Sequence, residues 1–125
     1  MPKWNAVWLD LQARFASFPE CKQHPDYPTV RTLAQGSVND ILEINEIGLV
    51  VRSHRTMNDD FIEVNRLRVW WDHLVEFGTA SLKPGDANNP HPWRSRVVGA
   101  LITRGLPTLV RVVNQNEIAL IGFKK

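Results

Sequence analysis

WRSRVVGALITRGLPTLVRVVNQNEIALIGF, the run from Trp93 to Phe123, changes its hydrophobic period once. Its first part has the three- and four-residue spacing of a helix, and its second part has the β-branched composition of strands. Gly105 is expected to cap the helix in a left-handed conformation, and Pro107 prevents its continuation. The run therefore predicts a short helix and a hairpin, over Trp93–Arg104, Thr108–Val113 and Ile118–Phe123.

The stretch from Ala87 to Asn116, which overlaps this run, is basic and contains no acidic residue. The acidic residues concentrate before Ala87. Because the net charge is only +2, the distribution of charged residues along the chain is more informative than their total. An acid-free, arginine-bearing stretch gains free energy on phosphate rows by releasing counterions. We therefore predict a nucleic-acid-binding surface, for DNA more than RNA, formed by Arg94, Ser95, Arg96, Arg104 and Arg111, helped by Arg52 and Arg55.

A second hairpin is predicted in the middle of the chain. Ile41–Ile44 and Leu49–Arg52 are β-branched-rich runs separated by Asn45–Gly48. The Asn and the Gly of this linker are suited to positive φ, which tight hairpin turns require.

Two further helices are predicted from apolar stripes. The first runs from Trp4 to Ser17 and is stopped by Pro19, after which a proline-containing connector follows. The second runs from about Asp60 to Phe77 and is ended by Gly78. Its start is predicted from Asp59 and Asp60, with Glu63 in the capping-box position.

Helix, turn, second helix and hairpin is the order of a winged helix-turn-helix, in which the second helix enters the major groove. Here Trp93–Arg104 would be that recognition helix, with its apolar side chains inward and Arg94 and Arg96 outward. The loop before it is longer than the turn of a compact motif, and the helix has no Asn or Gln to read adenine. We predict an α+β fold of three helices and two hairpins, winged-helix-like, in which the hairpins form a small antiparallel sheet. The arginine-bearing helix and hairpin are expected to contact phosphates.

Composition is that of an ordinary packed domain. The chain has 125 residues, of which 43% are hydrophobic and 22% charged, so one domain over residues 1–125 is expected. It would consist of a helix (1–18), the connector (19–40) and the remainder (41–125). The single cysteine, Cys21, excludes an internal disulfide, and residues 1–10 lack a long apolar run. A cytoplasmic protein is the resulting expectation.

No catalytic constellation stands out. His24, His54, His73 and His91 occur singly, without the i, i+4 spacing that places two metal ligands on one helical face. Asp40 lies near a strand start with Glu43, yet the lysine of a nuclease-type acidic motif is missing. There is no glycine-rich phosphate loop and no nucleophile elbow. We expect no enzyme activity, no cofactor and no metal.

The tryptophans support a different class of function. Trp8, Trp70 and Trp93 are candidate anchors for a protein partner, since aromatic side chains often dominate interfaces. Trp93 is also a candidate for stacking on a base. In this alternative the protein is an interaction subunit, or a phage-encoded inhibitor of a nucleic-acid-processing complex, and the arginines form a polar rim.

Several short stretches resemble a small accessory module of bacterial restriction-type nucleases and defence proteins. They are Thr32–Gly36 with Asn39 and Ile41, Gly48–Ser53, Phe77–Gly78 and Leu101–Pro107. The resemblance covers about two thirds of the chain. It implies a noncatalytic domain that contacts nucleic acid in a defence setting, and it implies no catalytic residue.

Overall fold

The computed structural model describes residues 2–16, 29–33 and 36–123. In chain order the elements are α1 (Trp4–Ala16), β1 (Thr29–Arg31), β2 (Val38–Asn45), β3 (Gly48–Ser53), β4 (Asp59–Glu63), α2 (Val64–Phe77), β5 (Thr79–Ser81), α3 (Ser95–Gly105), β6 (Val110–Asn114) and β7 (Glu117–Leu120). The strands form two antiparallel sheets, a first sheet of four strands and a second sheet of three. The predicted α+β class is confirmed, and the two predicted hairpins belong to different sheets.

The first sheet is a meander in the order β1-β2-β3-β4, built around the predicted central hairpin. That hairpin is confirmed, with Asn45 paired to Gly48 across the turn. Asn45 does not use a positive φ there. Its side-chain oxygen instead accepts the Ile47 backbone N–H at 3.0 Å, which closes the turn through the side chain.

The predicted start of the second helix is wrong. Residues Asp59–Glu63 form strand β4, which pairs with β3, and α2 begins only at Val64. Glu63 is the N-cap and makes no side-chain capping bond, so the capping box does not form. Asp59 and Asp60 bind arginine side chains instead, and pairing with β3 outweighs the local helix signal.

α2 ends as predicted at Gly78, whose φ of 82° is left-handed and whose N–H donates to the Leu74 carbonyl at 2.8 Å. The chain then enters β5, which pairs with β7 of the predicted C-terminal hairpin. The second sheet therefore has the order β5-β7-β6. In that hairpin the Asn114 side chain accepts the Asn116 N–H at 2.8 Å.

α3 is a central helix of the fold and does not lie on its surface. Eight of its 11 residues are buried, and it contacts β1, α1 and β6. Gly105 is the last helical residue and not a left-handed cap, because Leu106 follows it as C-cap with φ −128°. A Cβ atom on Gly105 would overlap Leu11 Cδ2 of α1, so glycine here permits close helix packing. The predicted recognition helix is thus not free to enter a major groove.

One continuous hydrophobic cluster joins all three helices to both sheets. α1 contributes the stripe predicted for it, with Val7, Trp8, Leu11 and Phe15 buried. α2 contributes Leu67, Trp70, Trp71 and Leu74 from one face. Among the described residues no helix is both long enough and apolar enough to cross a membrane.

Strands β1, β4 and β5 have no counterpart in the prediction. β1 lies inside the predicted connector, and β1 and β5 have only three residues each. Most of the connector, including Cys21 and the prolines after Ser17, lies outside the described residues.

Candidate nucleic-acid interface at the start of α3

The start of α3 carries the first arginine of the predicted surface. Arg94 is the N-cap residue, in a left-handed conformation with φ 51° and ψ 31°, and it makes no side-chain capping bond. The first N–H groups of a helix have no intrahelical acceptor and carry partial positive charge. With Arg94 and Arg96 beside them, this end of α3 is electropositive.

Arg94 is held by β4 of the first sheet. Its Nη2 donates to Asp60 Oδ2, and the side chains of Arg94 and Asp60 are 29% and 33% exposed. The Arg94 Nε atom is buried and has no hydrogen-bond partner. One side of the guanidinium is therefore neutralised by Asp60, while the Nε donor is left without a partner.

Arg96 is the second residue of α3 and contacts the C-terminal hairpin. Its Nη1 donates to the Asn116 side-chain oxygen at 2.9 Å, and the residue is half-buried. Since Asn116 lies in the turn between β6 and β7, this bond ties the start of α3 to the tip of the second sheet.

A groove of about 240 Å³, which we call the α3 groove, opens between the start of α3 and one end of the first sheet. Among the described residues, five polar residues are buried, and four of them line this groove. Because buried polar groups in proteins are normally hydrogen-bonded, each of these four side chains requires a partner. The lining consists of Thr32, Ser37, Asn39, Ser53, Pro84, Pro92, Arg94, Ser95, Arg96 and Val97.

The hydroxyl groups of the α3 groove are anchored by the backbone. Thr32 Oγ1 accepts the Ser37 N–H at 3.0 Å, and Ser53 Oγ accepts the Arg55 N–H at 3.2 Å. Each of these hydroxyls keeps its own hydrogen as a donor. Ser95 differs, because its buried Oγ donates to the Leu82 carbonyl at 2.7 Å. Its side chain fixes α3 to the preceding loop and does not reach the surface as predicted.

An aromatic and basic cluster lies directly before α3. The Arg66 guanidinium of α2 lies over the Trp93 ring, 4.9 Å from its centroid. Arg66 also contacts the His91 ring, and the Trp93 N–H donates to His91 Nδ1 at 3.1 Å. These contacts hold the indole in place, and because Trp93 is 36% exposed its ring is still accessible.

The other predicted tryptophan anchors are core residues. Trp70 is 1% exposed, and Trp8 is 7% exposed with its indole N–H donating to the Glu46 carbonyl at 3.3 Å. Trp4, half-buried, stacks on Trp8 with 6.0 Å between ring centroids. Of the three predicted anchors, Trp93 alone presents a substantial surface.

The remaining predicted arginines lie apart from the α3 groove. Arg104 is near the far end of α3, roughly 12 Å from Arg96 along the helix axis. Arg111 is exposed on β6, opposite Ala119. Arg55 is exposed in the turn after β3. The predicted set is therefore not one patch, and only its members at positions 94 to 96 share the groove.

Arg52 is engaged with an acidic neighbour on the outer face of the first sheet. Its Nε donates to Asp59 Oδ1 at 2.7 Å, and its Nη2 donates to Asp59 Oδ2 at 3.1 Å. This bidentate hydrogen bond raises the pKa of Arg52 and holds the pKa of Asp59 below its usual value.

Sequence reasoning missed the sheet side of the groove. Asn39 and Ser53 occupy inward positions of β2 and β3, where the neighbouring inward residues are the apolar Ile41 and Val51. A polar residue at an inward position of an alternating strand is a readable signal. Arg66 and Asp60 were also missed, because their partners lie 25 to 34 residues away.

Comparison of the chain with protein-family models, curated protein sequences and solved structures finds no significant match.

Proposed function

We propose that this protein is a noncatalytic nucleic-acid-binding module that holds a phosphate at the start of α3. The observation that carries the proposal is the opening of an uncapped helix N-terminus, with Arg94 and Arg96, into a groove lined by hydroxyl and amide groups. Helix N-termini of this kind bind phosphate through backbone N–H groups and the helix dipole.

The contact differs in geometry from that of a recognition helix. Since α3 is buried along most of its length, its end and not its side faces the nucleic acid. A phosphate would accept hydrogen bonds from the first-turn N–H groups, while Arg96 supplies charge. Trp93, held under Arg66, lies beside this position and offers its ring to a neighbouring base.

A defence setting belongs to the same proposal. The short stretches that resemble accessory modules of restriction-type nucleases include Gly48–Ser53, which ends at the α3 groove. The module would then bind the nucleic acid, and any catalytic step would be carried out by a partner protein.

The outer face of the first sheet supports a second candidate function, binding to a protein partner. Leu42, Ile47 and Phe61 are exposed there or at its hairpin tip, and Val50, paired with Phe61, is half-buried. Exposed apolar residues that cluster in this way mark interaction surfaces. Of the tryptophans predicted to anchor such a partner, only Trp93 is exposed enough to do so.

Fluorescence anisotropy tests the primary proposal. Labelled single-stranded RNA, single-stranded DNA and duplex DNA are titrated at two salt concentrations with the wild-type chain and with Arg96→Gln. We expect Arg96→Gln to weaken binding by about 5- to 10-fold and to reduce the salt slope by about one phosphate contact.

The matched control is Arg68→Gln, which removes the same charge from an exposed position of α2 outside the groove. Its affinity should stay close to that of the wild type, because the lost charge lies outside the groove and contributes only to non-specific attraction. Equal affinities of wild type, Arg96→Gln and an Arg94→Gln/Arg96→Gln double variant, all shown to be folded, would refute the proposed site. No binding at low salt would refute the function.

A further inference from the structure

The inner face of the first sheet changes character at the end that faces α3. Ile41, Leu49 and Val51 bury apolar side chains over most of this face. At its end Asn39 and Ser53 are directly paired across β2 and β3, and both are buried. Apolar residues at these two positions would extend the core, so the polar pair needs a separate explanation.

Asn39 holds a hydrogen-bond acceptor that nothing in the described structure satisfies. The residue is 2% exposed, and its Oδ1 atom is buried without a partner. Its amide nitrogen donates to the Ser37 carbonyl at 3.4 Å. Turning the amide over would set Oδ1 against that carbonyl oxygen, so the acceptor faces away from Ser37. A buried unpaired acceptor calls for a ligand that donates.

The opposite wall of the α3 groove has the reverse chemistry. Arg94 Nε is a buried donor without a partner, and the first-turn N–H groups of α3 are donors by position. These groups call for an anion. The groove therefore matches a ligand that carries an anionic acceptor and, within the same small volume, a hydroxyl or amino donor.

We propose that the α3 groove binds a ribose phosphate, with the phosphate at the start of α3 and a ribose hydroxyl donating to Asn39 Oδ1. That the ribose phosphate belongs to a nucleic-acid strand rests on the proposed function. The inference also changes the expected partner from DNA to RNA. The 2′-hydroxyl is the group by which a protein distinguishes the two.

The size of the groove favours a sugar phosphate over a larger group. At about 240 Å³ it is smaller than the pockets that enclose drug-sized molecules, which begin near roughly 300 Å³. A whole dinucleotide would not fit inside. The base would remain outside, where the exposed Trp93 follows Pro92 of the groove wall.

Two sources can supply this chemistry, a free ribonucleotide or a strand of RNA, and the experiment separates them. Calorimetry measures binding of adenosine 5′-monophosphate, its 2′-deoxy analogue and inorganic phosphate to the full chain. Anisotropy measures binding of matched RNA and DNA oligonucleotides. We expect the ribose form to bind more tightly than the deoxy form by on the order of 5-fold, the effect of one hydrogen bond. Amide signals of Ser95, Arg96 and Val97 should shift with phosphate.

Asn39→Leu is the decisive variant, because leucine has a similar volume and removes the unpaired acceptor. It should abolish the preference for ribose, leave phosphate binding unchanged and keep the protein folded. Asn5→Leu makes the same change at an exposed position of α1 and should retain the preference. If Asn39→Leu fails to fold, Asn39→Ala gives the same test, because it also removes the acceptor with a smaller side chain.

The outcomes separate the two proposals. A preference for RNA that Asn39→Leu removes supports both. A preference for the ribonucleotide without any oligonucleotide binding supports the site, assigns it to free ribonucleotides and overturns the proposed function. Equal binding of RNA and DNA that Asn39→Leu does not alter overturns the ribose inference and leaves the function intact. A loss of affinity for ribose and deoxyribose forms alike in Asn39→Leu also overturns it, because the donor would then be a group that both nucleotides share and not the 2′-hydroxyl.

Discussion

The two ends of α3 are packed in opposite ways. At its C-terminal end Gly105 lies against Leu11 and Phe15 of α1, in a contact so close that a Cβ atom would overlap Leu11. At its N-terminal end the helix carries two guanidinium groups and faces hydroxyl and amide groups across the α3 groove. One end of the helix therefore packs into the core, whereas the other end leaves polar side chains in a groove where a ligand would bind.

Gly105→Val should have the largest effect, because it breaks the packed end. The added side chain collides with Leu11 and Phe15, and overpacking of this kind destabilises by about 2–3 kcal/mol. Urea unfolding measures the loss. In a Leu11→Ala background the same substitution should cost clearly less, because the colliding side chain has been shortened. Strict additivity of the two changes would show that the contact with Leu11 is not the cause.

Arg94 provides a smaller test at the groove end. Its φ of 51° lies in the left-handed region, which glycine adopts freely and other residues adopt at a cost. Arg94→Ala and Arg94→Gly both remove the ion pair with Asp60, so their difference isolates the backbone. Arg94→Gly should be the more stable of the two by about 1 kcal/mol in thermal or urea unfolding. Equal stability, or a more stable alanine variant, would show that the backbone is not strained at this position.

The smallest effect is expected at a reference pair that touches neither end of α3. Arg52 lowers the pKa of Asp59 through the bidentate hydrogen bond, so Arg52→Gln should raise that pKa toward the ordinary value of an aspartate. Because the folded-state pKa is the lower one, any stabilisation is present at neutral pH and is lost as pH falls below about 4. Carboxyl NMR titration of Asp59 in the wild type and in the variant measures the change. An unchanged Asp59 pKa in the variant would contradict the assignment.

Sequence reasoning was most reliable where the structural signal is local. The hairpin of β2 and β3 and the hairpin of β6 and β7 follow from composition and turn residues a few positions apart. The start of α2 was wrong because Asp59 and Asp60 have the chemistry of a helix cap, whereas their pairing with β3 is a long-range property. Strands β1 and β5 are too short to produce a period and exist only through their partners.

Only one of the two sides of the candidate site was visible in the sequence. The positively charged half, Arg94 and Arg96, was visible as an acid-free run. The sheet half was not, because Thr32, Asn39 and Ser53 are separated from α3 by more than 40 residues and meet it only when the first sheet folds over the helix. The burial of Ser95 and Trp70 likewise depends on tertiary packing that no local pattern encodes.

If the start of α3 binds an anion as proposed, the arginine at its N-cap would couple folding to ligand binding. A cation at this end of a helix opposes the helix dipole, and Arg94 offers no acceptor to the first-turn N–H groups. A bound anion would act as the cap that the sequence omits, so ligand and helix would stabilise each other. By mass action the melting temperature should then rise with the logarithm of ligand concentration, and the most sensitive part of the protein would be its central helix.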